Sequence, residues 1–117
     1  MPRRGALRGK SITELLDKGE WHRGRWVNIC CRKEQNYGSC VLVGRKIGQA
    51  TVRNRVKRRI RQIAREMGID APDCQIALCP KPSAADATHE ELRQDISRLL
   101  ERAGVYGKDT GRTPQAL

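Results

Sequence analysis

A run of basic residues with an apolar stripe built into it constrains this chain more than any other feature. From Gly44 to Glu66 there are nine Lys or Arg against one acid, a local charge of +8 where the whole protein carries +11. Val52, Val56, Ile60, Ile63, Ala64 and Met67 recur within the run at helical spacing. The pattern predicts a folded helix presenting cations, starting near Thr51 and stopping at Gly68.

At 100° per residue, Asn54, Arg58, Arg61 and Arg65 fall opposite the apolar stripe. Arg55, Arg59 and Gln62 take one flank, and Arg53 and Lys57 the other. Arg53 and Arg55 are expected in the first turn, where the helix dipole is positive and each cation costs about 0.3–1 kcal/mol. A bound anion would offset that cost, and free backbone N–H groups at a helix start suit phosphate. A phosphate site is therefore expected there, fed by Arg45 and Lys46 on the preceding loop. A face kept only for solubility would mix signs and use Glu–Lys pairs, and Glu66 is the lone acid. Asn54 leaves two readings open: an amide for phosphate, sugar or base edge, or one that satisfies its own backbone.

Composition narrows the partner. A net charge of +11 and a pI near 10.1 make a polyanion the default. A membrane-surface helix would need a broad Leu, Phe or Trp face, and here the stripe is narrow, so nucleic acid is favoured over membrane. No stretch approaches the roughly 20 apolar residues that span a bilayer, and no secretory signal is expected. The acid-free, Arg-rich first thirteen residues have only a faint likeness to a transit peptide, so a cytoplasmic protein is expected. The five cysteines match no zinc-ribbon spacing, and His22 and His89 supply no adjacent ligand pair, so no metal site is expected. The thiols read as small buried hydrophobes of a reducing compartment.

One small domain, residues 9–104, is expected between a basic arm (1–8) and a tail (105–117), both disordered. Ser11 is expected to cap a helix over Ile12 to Lys18. After an extended piece around Trp21 and a turn at Arg23-Gly24, strands at Arg25–Arg32 and Ser39–Arg45 read as a hairpin. In the first of these, Val27, Ile29 and Cys31 share one face, and Trp26, Asn28 and Cys30 the other. Cys74 to Cys79 reads as a buried strand ended by Pro80 and Pro82. Thr88 and Glu91 form a capping box opening a helix that closes at Gly104. The order α-β-β-β-α-β-α, with about four strands, gives an α+β fold with helices against a small sheet.

The stretch Arg45–Arg61 (RKIGQATVRNRVKRRIR) closely resembles the signature of the bacterial ribonuclease P protein subunit. The flanks agree, from the short first helix to a strand ending in Lys81-Pro82, so the resemblance covers roughly residues 7–103. It implies a fold like the second domain of ribosomal protein S5, with a left-handed β-α-β crossover. It also implies a subunit that binds a catalytic RNA and helps hold the 5′ leader of precursor tRNA while the RNA, with Mg²⁺, cleaves. Mg²⁺ is then held mainly by the RNA, and the free protein is a monomer.

On that basis the RNA-binding residues are Arg45, Lys46, Arg53, Asn54, Arg55, Lys57, Arg58, Arg61 and Arg65. The leader cleft is assigned to Ile12, Leu16, Trp26, Asn28 and Cys30. Where the family carries aromatics, this chain has Ile12, Leu16 and Cys30, and it has no Phe. Stacking is worth ~1–3 kcal/mol per base; Trp26 could supply it, or could instead pack at the sheet end. Pro80 stands where a basic residue often precedes Lys-Pro. No Ser/His/Asp set or paired carboxylates suggest catalysis by the protein itself, so no catalytic residue is assigned. The competing class is a structural RNA-binding protein of ribosomal or RNA-chaperone type.

Overall fold

The computed structural model describes residues 9–33, 38–69 and 74–104. The elements are α1 (Gly9–Lys18), β1 (Glu20–Arg23), β2 (Val27–Lys33), β3 (Gly38–Val41), α2 (Ala50–Met67), β4 (Cys74–Pro80) and α3 (His89–Ala103). This is the expected order. Short 3-10 turns at Arg45–Ile47 and Pro82–Asp86 precede α2 and follow β4. The expected arm and tail lie outside the described residues. Helix α1 already runs at Gly9, so Ser11 sits inside it and is not its cap.

The expected hairpin is overturned. The strand order is β1-β2-β4-β3, so β4 lies between the two strands read as hairpin partners. The hairpin is instead β1–β2, with Trp21 opposite Cys30 and Arg23 opposite Asn28. Strand β4 runs antiparallel to β2, with Cys31 opposite Ile76, and parallel to β3, with Val41 opposite Leu78. Helix α2 is the crossover joining the parallel pair. The physical reason lies in β4 itself: apart from half-buried Cys79, every residue from Cys74 to Pro80 is buried. A strand that is buried on both faces belongs in the middle of a sheet.

The sheet is covered on both sides. On one face Val27, Ile29, Ile76 and Leu78 meet Ile60 and Ile63 of α2 and Leu92, Ile96 and Leu99 of α3. Each such side chain contributes about 1.5–3 kcal/mol when fully buried. On the other face Leu15 of α1 closes over Cys30 and Ala77, flanked by Ile12, Leu16, Cys40, Leu42 and Cys79. The alternation read along β2 holds, but Trp26 precedes the strand. Its ring packs against the α2–α3 core, with the Arg25 guanidinium 5.0 Å from its centroid.

One buried group escaped the sequence reading. Asp95 of α3 has no exposed surface. Its carboxylate accepts from the N–H groups of Arg25 at 3.2 Å, Trp26 at 2.7 Å and Val27 at 3.0 Å. Arg98 adds a bond at 3.0 Å. Burial pushes the Asp95 carboxyl up, but the bonds from Trp26, Arg98, Arg25 and Val27 outweigh it and hold the group below the usual range. This one side chain fastens α3 to the β1–β2 turn.

Candidate nucleic-acid interface

A glycine stands just before the cap of the basic helix. Gly48 has φ 145° and ψ −160°, a conformation that is essentially glycine's alone. Its carbonyl accepts a hydrogen bond from the Arg53 guanidinium at 3.2 Å. The N-cap residue, Gln49, makes no side-chain cap bond, and the first turn holds no acid. Arg45 and Lys46 stand exposed on the 3-10 turn just before it. Because the helix starts at Ala50, only Arg53 falls in the first turn, and it is half-buried; Arg55 sits one turn on, exposed.

Along the outer side, Asn54, Arg58, Arg61 and Arg65 are exposed on the same face, as the helical spacing required. They border an open trough of about 880 Å³ together with Lys57, Gln62 and Glu66. The cation left out of the assigned set behaves differently: Arg59 donates to the Ala87 carbonyl at 2.9 Å and ties α2 to the turn before α3. Glu66 is drawn toward α3, where His89 and Arg93 each lie 3.1 Å from its carboxylate. Its hydrogen bond with His89 is the main cause that holds it below the usual carboxylate range.

A second depression, about 540 Å³, follows the free edge of β3. Ile12 of α1, the segment Ser39–Leu42 and Ala64 line it, with Lys57, Arg61 and Arg65 along one side. These three cations border both the trough and the groove.

The residues of the leader-cleft assignment do not converge on one depression. Of its five residues only Ile12 lines this groove. Cys30 is wholly buried, its thiol donating to the Leu15 carbonyl at 3.2 Å. The cover is tight: a Cβ on Gly19 would stand 2.6 Å from the Cys30 sulfur. Leu16 packs beside it, half-buried. Asn28 uses its side-chain oxygen to accept from the Gly24 N–H at 3.3 Å. Trp26 belongs to the opposite face. Outside the assigned set, Cys40 on the edge strand β3 and Leu42 just after it line the groove, and Trp21 stands 41% exposed. Trp21 is opposite Cys30 and donates its indole N–H to the Leu16 carbonyl at 3.3 Å. Alternation in Ser39–Leu42 hinted at the first two; nothing local distinguished Trp21 from Trp26.

The five cysteines are free. Burial, chiefly, pushes the Cys40 thiol up to about 11 and the Cys79 thiol up to about 12. Both are neutral at ordinary pH, in keeping with packing roles.

A small basic α+β domain with an arginine-rich crossover helix belongs to the class of nucleic-acid-binding modules. The family model described as ribonuclease P matches residues 1–104, and the chain belongs to that family. The ribonuclease P protein component of Thermus scotoductus is 34% identical over 100 residues, covering 86% of this chain and 60% of the relative. This chain thus spans about 60% of the length of that Thermus relative. The Geobacillus sp. component is 31% identical over 106 residues, covering 87% of this chain and 91% of its own. Among solved structures, a mutant RNase P protein of Staphylococcus aureus superposes with a TM-score of 0.77 at 19% identity, over 87% of this chain and 89% of that one. The Thermotoga maritima protein does so with a TM-score of 0.73 at 24% identity, over 85% and 97%. At these identities the structures speak to the fold, and they share it.

Proposed function

We propose that this chain is the protein component of a ribonuclease P particle, assisting endonucleolytic removal of the 5′ leader from precursor tRNA. The partner is a catalytic RNA, which holds the Mg²⁺ and performs the cleavage; the protein supplies no catalytic group. The supporting observation is the cation ridge of Lys57, Arg61 and Arg65, which borders the outer trough and the β3-edge groove at once. One RNA surface engages the trough through Asn54 and Arg58, and extends past Arg55 to the helix start with Arg45, Lys46 and Arg53. A single strand lies in the groove against Ile12, Cys40 and Leu42. Phosphate neutralisation by these cations is the main source of affinity. The protein acts in the cytoplasm, and none of the described helices is long and apolar enough to cross a membrane.

Reconstitution with a cognate catalytic RNA at low Mg²⁺ tests the proposal: the protein should raise precursor cleavage several-fold. No gain would leave a structural RNA-binding protein. For the leader path, a photoreactive group on Cys40 should crosslink to the leader. Crosslinks only to the body of the tRNA would move the strand off the β3 edge.

A further inference from the structure

Folding brings together three donors that no sequence spacing had grouped. The donor atoms of Glu20, His22 and Cys31, one oxygen, one nitrogen and one sulfur, all lie within 4.8 Å of one another. Strand pairing produces the cluster: Glu20 is directly opposite Cys31, and His22 lies two residues along on the same face. We propose that these residues form a binding site for a thiophilic divalent cation of the zinc type.

Two observations point to an ion over a simple ion pair. The His22 Nε2 is buried and has no hydrogen-bond partner, a condition that is ordinarily unfavourable. The Glu20 Oε1 stands 3.4 Å from it, close, but without hydrogen-bond geometry. Nitrogen and oxygen ligands each about 2.0–2.2 Å from one tetrahedral centre stand about 3.3–3.5 Å apart. The gap is therefore already the edge of a tetrahedral site. A mixed sulfur, imidazole and carboxylate set selects zinc over magnesium or calcium, which take oxygen ligands.

The opposing force is the thiol proton. Burial, with Cys74, Glu20 and Cys30 adding to it, pushes the Cys31 thiol up to about 11, so the ion must displace that proton on binding. Exposed Glu20 gives the ion access from solvent. Once bound, it would staple the edge strand β1 to β2. None of the three residues borders the basic trough or the groove, so the site is separate from the proposed RNA surface.

The test titrates the metal-stripped full chain with Co²⁺ as a spectroscopic probe, then displaces it with Zn²⁺. The expected result is one Co²⁺ per chain with a thiolate-to-cobalt charge-transfer band, and a higher thermal midpoint with Zn²⁺ but not Mg²⁺. Cys31→Ser should abolish the band, and Cys30→Ser should keep it. His22→Gln and Glu20→Gln should each weaken Zn²⁺ binding at least tenfold. Absence of the band, or a wild-type affinity in His22→Gln, overturns the site. His22→Gln also decides the matter if Cys31→Ser does not fold.

Discussion

Helices α2 and α3 begin in opposite ways. At α3 the Thr88 hydroxyl accepts from the Glu91 N–H at 3.1 Å, and the Glu91 carboxylate accepts from the Thr88 N–H at 2.8 Å. Glu90 and Glu91 complement the dipole there, and one turn on Asp95 gathers three backbone N–H groups. At α2 the cap side chain bonds to nothing in its own turn, no acid is present, and Arg53 occupies the first turn. One helix satisfies its start from within. The other leaves a positive end that is best satisfied by an anion from outside. The contrast is between the two helix starts, since both helices bury an apolar face in the same core.

Asp95→Ala should be the largest blow to α3, about 3–5 kcal/mol, because it orphans buried N–H groups; the midpoint of urea unfolding reads it. Since the Asp95 carboxyl is held low in the fold, its contribution is complete above the unfolded pKa of about 3.9 and is lost as pH falls through the folded value. Asp95→Asn should accordingly flatten the acid limb of the stability profile. If neither variant shifts stability, the contrast between the helices is misplaced.

On α2 the signature inverts. The double change Arg58→Ala and Arg61→Ala should leave stability within about 0.5 kcal/mol. It should flatten the log–log salt dependence of RNA affinity by about one unit per residue. An unchanged slope would take this face out of the interface. Thr88→Ala should remove about 1 kcal/mol of stability without touching RNA affinity. The smallest and sharpest change gives α2 the cap it lacks: Gln49→Asp should stabilise by about 0.5–1 kcal/mol and weaken RNA binding. Tighter or equal binding would show that the helix start is not an anion site.

The exposed basic face was legible in the sequence because it is local. Helical periodicity alone set the exposed face of Asn54, Arg58, Arg61 and Arg65, and the α3 capping box was visible as Thr88 and Glu91. The β3-edge groove proposed for the leader was not legible. The leader-cleft assignment to Asn28 and Cys30 assumed an open face on β2, whereas α1 closes over that face and the groove opens two strands away at β3. Asp95 looked like an ordinary polar residue near the start of a helix, because its partners lie about 70 residues earlier in the chain.

What the sequence determined by itself was therefore the basic helix, the order of elements and the family, all carried by neighbours within a turn or a strand. Only the tertiary structure decided that β4 divides β2 from β3, that Cys30 is sealed while Cys40 faces the groove, and that Glu20, His22 and Cys31 meet. The physical reason is that helix faces follow from bonds four residues apart. Strand neighbours follow from which segment most needs burial on both faces, and in this chain that segment is β4.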